Sequence, residues 1–396
     1  MPGRFYRRLR RGILLPISIT ILLANVGFGA AWPYFPIVMR ILGGGFLAVA
    51  LIMASFNAVM SAVQYPFGLL SDWMGSRRRF AILGQIGTSA MMASMFLAGS
   101  VPAFLAARAA MGFFQGISTP SINALIAAGS RGWTGRGFGT VNFFGNLGFF
   151  LGNLLGSRAS SLDPRMPLLL GSFFLLLSAL PILWVREEGG ETAVTPFRGE
   201  KPMRILASRP ALRPGLWPSL VASTLIFTSS GMVYAFLSLY FEELFGMEHV
   251  GLIFSSGAAA TIVSVYAFGR LQDIHGKEPY LILGALLYVI VFLLYGRVAD
   301  LKLMLLVEAL SGTKYAIVWN GFQSLAADLS PRGGEASTLG LISATASLGW
   351  TLGPFAGAAI LAHRGFHTLF LAAAALAAAS LIPLAQTVKL KGRVSY

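Results

Sequence analysis

Three ionisable residues, Arg108, Glu308 and Lys314, stand deep inside long apolar stretches of a 396-residue chain that otherwise keeps its charges in short connecting segments. Moving a charge out of water is expensive, so each of the three needs a partner or a task. Glu308 is the sole carboxylate at such depth, and a carboxyl group can hold a proton in one state and release it in another. Lys314 lies six residues further on, about 120° around a helix, and is expected to occupy a different face from Glu308. Arg108 and Lys314 can also satisfy themselves on backbone carbonyls or reach toward an interface. Enzyme chemistry finds little to work with. There is no Walker loop and no cysteine, which excludes disulfides, thiolate metal sites and cysteine nucleophiles. His249, His275, His363 and His367 fall in or near loops, and Gly365 interrupts the last pair. No cofactor and no metal is expected.

The elements that hold these residues follow from composition. Apolar residues make up 56% of the chain and charged residues 11%, where a soluble chain carries roughly a quarter charged. A membrane helix needs about 20 mostly apolar residues. Twelve such segments fit, near 13–39, 46–70, 80–99, 101–128, 138–157, 166–185, 215–240, 250–271, 280–298, 302–326, 337–361 and 366–387. The first is too long for a signal peptide and is expected to remain as a span. Residues 186–214 form the longest polar stretch, with Glu187, Glu188, Glu191, Arg198, Lys201, Arg204 and Arg209, and are read as a cytoplasmic linker. The domains expected are thus 1–185 and 215–396, joined by 186–214.

The net charge of +15 sits in the short segments between spans. It is expected to orient the chain on a bilayer, not to bind nucleic acid. With the first terminus inside, 22 of the 30 Lys and Arg residues fall on the cytoplasmic side. Both termini are therefore expected in the cytoplasm.

A repeat organises the twelve spans. After the second span the chain reads Gly68-Leu-Leu-Ser-Asp72-Trp-Met-Gly75-Ser-Arg77, and after the eighth Gly269-Arg-Leu-Gln-Asp273-Ile-His-Gly276-Lys277. The glycine–aspartate–glycine spacing is identical. Gly112 and Gly312, then Gly148 and Gly152 against Gly349 and Gly353, keep nearly the same offset, and several matches at one offset mean duplication. Arg108 and Glu308 then occupy equivalent positions in the fourth and tenth spans.

These motifs resemble the major facilitator superfamily along nearly the whole chain. The first loop is similar to its signature, with Trp73 and Ser76 where basic residues are usual. Arg108-Ala-Ala-Met-Gly112 is similar to the family's motif in the fourth span. Gly148-x-x-x-Gly152-Asn153-x-x-Gly156 looks like the glycine-rich motif of its exporters, although Asn153 replaces a proline that the second half has as Pro354. The resemblance implies two pseudo-symmetric six-helix bundles around a central cavity, working by alternating access. It implies a cytoplasmic gate built from Gly68, Asp72, Gly75, Arg77, Gly269, Asp273, Gly276 and Lys277. Cavity helices would carry Arg108, Glu308, Lys314, Asn25, Gln115, Tyr234, Trp319 and Asn320, with Arg108 and Glu308 able to pair in one state.

The function expected is secondary transport in the plasma membrane (the inner membrane of a Gram-negative cell) by a monomer. Proton-coupled export of a lipophilic or drug-like solute leads. Uptake of a sugar, organic acid or other metabolite stays open, as does a sensor or lipid scramblase on the same fold. Asp72→Asn is expected to impair transport in vesicles while leaving membrane insertion intact; full transport by that variant would remove the gate from the scheme.

Overall fold

A bilayer interior offers no water to backbone groups, so an apolar run must satisfy its own N–H and C=O groups, and a helix does so within one segment. The computed structural model describes residues 2–130, 134–185, 216–329 and 335–392, and among them the regular elements are all helical. The linker expected over 186–214 lies outside the described residues. The helices in order are α1 (Pro2–Ala31), α2 (Phe35–Ile41), α3 (Phe46–Trp73), α4 (Arg77–Leu97), α5 (Val101–Gly129), α6 (Thr134–Ser160) and α7 (Met166–Ser178). They continue with α8 (Leu216–Tyr234), α9 (Leu237–Phe245), α10 (Met247–His275), α11 (Glu278–Tyr295), α12 (Leu301–Leu329), α13 (Glu335–Leu361), α14 (Gly365–Ala379) and α15 (Leu381–Gly392).

Four of the expected spans are not continuous α-helices. The first breaks at Ala31, passes through a 3₁₀ turn at Trp32–Tyr34 and resumes as α2. Pro33 and Pro36 lack the N–H that would continue the ladder. The seventh breaks at the corresponding place, between α8 and α9, without a proline. The sixth ends in a 3₁₀ turn at Pro181–Trp184, and the twelfth is divided at Ser380 between α14 and α15.

Among the described residues, nine helical segments are long and apolar enough to cross a membrane. Helices α5, α6 and α12 are as long, at 29, 27 and 29 residues. They carry much of the polar chemistry singled out above: Arg108 and Gln115 on α5, Asn153 on α6, and Glu308, Lys314 and Asn320 on α12.

The helices gather into two compact units. The first comprises described residues of 1–48, 55–199 and 241–255, and the second those of 49–54, 200–240 and 256–396. Within the first, α1 packs on α6 and α7, and α4 on α5 and α7. Within the second, α8 packs on α13 and α14, and α11 on α12 and α14. The two wiring patterns match helix for helix, which is the sequence repeat expressed as packing.

Small residues set the closest of these approaches. A Cβ added at Gly148, Gly152 or Gly156 would lie 2.3, 2.3 or 2.4 Å from the carbonyl oxygens of Leu22, Val26 and Ala30 on α1. In the second unit, Gly349 and Gly353 would meet Thr228 N and O on α8 at 2.6 and 2.4 Å, and Pro354 packs against Gly231 beside them. Asn153, in the place of that proline, is fully buried, and neither polar atom of its side chain finds a hydrogen-bond partner among the described residues. Gly152→Ala is expected to cost about 1–3 kcal/mol through forced separation of α1 and α6. Gly139→Ala, on the same helix but with nothing within 4 Å of the new methyl, serves as the control and is neutral or stabilising by up to about 1 kcal/mol. Thermal unfolding in detergent checks both, and equal melting of the two variants would contradict the seam.

Candidate functional site

In the first unit the buried charge is Arg108, on α5, with 1% of its surface exposed. Its guanidinium carbon sits 4.1 Å from the ring centre of Phe35 on α2, 4.2 Å from that of Phe56 on α3 and 5.8 Å from that of Trp32. One N–H points at Met111 Sδ, 3.3 Å away. The break after α1 explains this cage, because the 3₁₀ turn aims Trp32 and Phe35 toward α5. Aromatic faces carry negative charge density and attract a desolvated cation by about 2 kcal/mol or more. The close fit of α5 on α3 is made by Gly112, where a Cβ would lie 2.5 Å from Phe56 O.

The other polar residues expected in this unit are placed separately. Asn25 Nδ2 donates to Ile21 O at 2.9 Å. Asn25 also lines a cavity of about 250 Å³ with Asn123, Asn142, Asn146 and Phe138. Gln115 works as an interhelical tie, accepting from Thr88 on α4 at 3.4 Å and donating to Thr119 at 3.5 Å.

The second unit holds an acid and a base together. Glu308 and Lys314 on α12 are 3% and 0% exposed. The Tyr295 hydroxyl on α11 donates to Glu308 Oε2. Lys314 Nζ lies 4.0 Å from the ring centre of Tyr288, and 5.1 Å from those of Phe292 and Tyr234. It also donates to the Tyr234 hydroxyl at 3.4 Å. Tyr234 Oη shares a short hydrogen bond with Ser311 Oγ, one helical turn from both charged residues. Gly257 on α10 leaves the room for the acid: a Cβ there would lie 2.8 Å from Glu308 Oε1.

The expectation that Glu308 and Lys314 face apart is corrected here. They are about 120° apart around α12, yet both side chains are long enough to reach the same neighbouring helix, α11. Helix α11 runs antiparallel to α12, so Tyr295 meets residue 308 while Tyr288, two turns earlier, meets residue 314. Tyr234 closes the gap from the α8 side through its hydrogen bond to Ser311 on α12.

Beside this pair lies an aromatic wall. Tyr315 and Trp319 stack with centres 6.2 Å apart and planes 7° apart. Phe227 stands edge-on to Trp319 at 5.8 Å, and Trp350 on α13 lies 6.5 Å from Phe227 and 5.9 Å from Tyr234. Tyr234, Tyr315, Trp319 and Trp350 are half-buried, so their rings keep open area. Asn320 is outside this group and ties α12 to α10, donating to Val265 O at 3.1 Å.

The loop motifs lie at helix ends. Gly75 and Gly276 have φ of +58° and +88°, a region that costs other residues about 1–2 kcal/mol. Asp72 falls in the last turn of α3, and its side chain lies outside the described residues. Asp273, in the last turn of α10, is exposed. Arg77 opens α4, while Lys277 precedes α11 and pairs with Asp328 at 2.9 Å, tying the second loop to the end of α12. Gly68 packs on Pro120, and Gly269 faces Asn320.

Phe35, Phe56, Tyr288, Tyr295, Ser311, Gly257 and Trp350 did not emerge from the sequence. The signals for them are faint: a Tyr288–Phe292–Tyr295 stripe at helical spacing, and a serine one turn from each buried charge.

A sequence model described as Major Facilitator Superfamily matches residues 17–261 and 224–391. The multi-drug resistance efflux pump PmrA of Streptococcus pneumoniae is 26% identical over 351 residues, covering 86% of this chain and 87% of the relative. The multidrug resistance protein MdtG of Escherichia coli is 28% identical over 371 residues, covering 89% and 88%. Among solved structures, the nucleoside transporter NupG superposes with a TM-score of 0.81 at 12% identity, covering 96% of this chain and 99% of that one; at that identity the likeness speaks for the fold alone. With the repeated helix wiring, the apolar spans and the matched family sequence together, the chain belongs to the major facilitator superfamily, a multi-pass membrane transporter and not an enzyme.

Proposed function

We propose that the protein exports lipophilic, drug-like organic solutes across the plasma membrane in exchange for protons. The observation that carries this reading is the buried Glu308, held by the Tyr295 hydroxyl and standing in one cluster with Lys314. An acid deep in an apolar helix is costly to keep, and a proton carrier is the task that such an acid serves in transport. The half-buried rings beside it suit an amphipathic organic solute better than an inorganic ion. The names of the relatives PmrA and MdtG, both multidrug pumps, support export over uptake.

In this reading α5, α6 and α12 join the nine apolar segments to make twelve spans, with both termini in the cytoplasm as the basic loops favour. The two units are the moving bodies of an alternating-access cycle. The two Gly-x-x-x-Asp-x-x-Gly turns serve as its cytoplasmic gate, and Arg108 in its aromatic cage supplies the fixed charge of the first unit.

The test uses purified protein in proteoliposomes with ethidium, glucose and citrate. Ethidium is expected to accumulate against its gradient when a proton gradient is imposed, and glucose and citrate to exchange no faster than in empty vesicles. Glu308→Gln is expected to lose the proton-driven accumulation while retaining downhill ethidium counterflow, because the solute site is kept and the proton carrier is gone. Exchange of glucose or citrate without ethidium would overturn the export reading. Undiminished proton-driven accumulation by Glu308→Gln would remove Glu308 from the proton path.

A further inference from the structure

Tyr234 belongs to two groups at once. Its ring is half-buried and packs 5.9 Å from Trp350, in the aromatic wall. Its hydroxyl is hydrogen-bonded to Ser311 Oγ and receives a hydrogen bond from Lys314 Nζ at 3.4 Å. Glu308, six residues before Lys314 and three before Ser311, is held from the other side by Tyr295. Tyr234 is therefore the one side chain in these contacts that touches both the open rings and the buried acid–base pair. It is also the last residue of α8, next to the break before α9. That position sets the ring at a helix end, between Trp350 and Lys314, and not within a mid-helix turn.

Resting on the export reading above, we infer that Tyr234 is the coupling residue through which a planar aromatic solute, stacked on Trp350 and its neighbours, drives proton release from Glu308. A flat solute entering the wall competes with the Tyr234 ring for Trp350. When the ring moves, its hydroxyl leaves Ser311 and Lys314. Ser311 O–H and Lys314 N–H are then free to donate to the Glu308 carboxyl group, which favours the carboxylate. The O–H bond of the Glu308 carboxylic acid breaks, its electron pair stays on the carboxylate, and the proton passes to water. No electron is transferred and no other bond changes. Solute departure restores the tyrosine contact and returns a proton to Glu308.

The groups facing Glu308 make this specific. Helix α11 presents Tyr295 to Glu308 and Tyr288 to Lys314, α8 presents Tyr234 to Lys314, and α12 itself places Ser311 between the two charged residues. Helix α10 presents the glycine backbone at Gly257. Of the three tyrosines, only Tyr234 belongs to the half-buried wall, since Tyr288 and Tyr295 are fully buried.

The experiment measures binding and proton release together in weakly buffered detergent solution of the full-length protein. The probes are ethidium, a planar aromatic cation, and pyrene sulfonate, a planar aromatic anion. Tryptophan quenching reads binding and a pH-indicator dye reads protons. The wild type is expected to bind at least one probe and release protons as it does so. Tyr234→Phe keeps the ring and loses the hydroxyl, so it is expected to bind within about twofold of wild type while its proton release falls by about fivefold or more. Trp350→Ala is expected to bind about fivefold more weakly and to release fewer protons per bound probe, because the Tyr234 ring no longer has Trp350 to be displaced from.

Proton release by Tyr234→Phe equal to wild type would overturn the inference. So would a loss of binding in that variant as large as the one in Trp350→Ala, since the hydroxyl would then serve binding. Should Tyr234→Phe not fold, Ser311→Ala removes the same contact from the other side and is read in the same way. A wild type that binds neither probe, or binds without releasing protons, would instead defeat the export reading itself.

Discussion

The structure depends on how a charge is kept inside an apolar helix bundle. Desolvation penalises every ionised group there, and each must recover the loss from neighbours. The chain uses two different remedies. Cations rest on aromatic faces: Arg108 between Phe35 and Phe56, and Lys314 over Tyr288. The anion cannot do so, because the face of a ring carries negative charge density. Glu308 instead takes an O–H donor, the hydroxyl of Tyr295. The same position in the repeat therefore requires different surroundings in each half, rings in one and a hydroxyl in the other.

Close helix packing makes those remedies possible. Ring faces and hydroxyls act over a few ångströms, so the helices that carry them must approach until backbones touch. Gly112 brings α5 against Phe56 itself, and Gly257 opens the space that the Glu308 carboxylate fills. The seams of Gly148, Gly152 and Gly156 with α1, and of Gly349 and Gly353 with α8, give each unit the same frame. On that frame the chemistry has diverged. Asn153 is buried where the second unit has Pro354, and Lys277 is tied to Asp328, whereas the first unit has Ala128 at the position matching Asp328.

Helix breaks supply what straight helices cannot. The 3₁₀ turn at Trp32–Tyr34 directs Trp32 and Phe35 at Arg108. The matching break after Tyr234 leaves that ring at a helix end, between Trp350 and Lys314. The first break is marked in the sequence by Pro33 and Pro36, whereas the second falls in a span with no proline at the break.

Much of this was legible in the sequence. Hydropathy and charge follow from composition, so the membrane class was readable at once. The repeat was readable because a duplicated fold keeps its glycines wherever backbones touch, at one offset. Arg108, Glu308 and Lys314 stood out because a charge is conspicuous in an apolar run. Their partners did not, since Phe35, Phe56, Tyr288 and Tyr295 look like any other aromatic residue facing a core. A helical wheel set Glu308 and Lys314 apart, correctly for the backbone and misleadingly for the side chains. By itself the sequence determined the helices, their duplication and the few residues too costly to be idle. Only the tertiary structure decided which residues meet, because partner choice rests on interhelical distance, antiparallel register and helix breaks, and these depend on contacts between segments far apart in the chain.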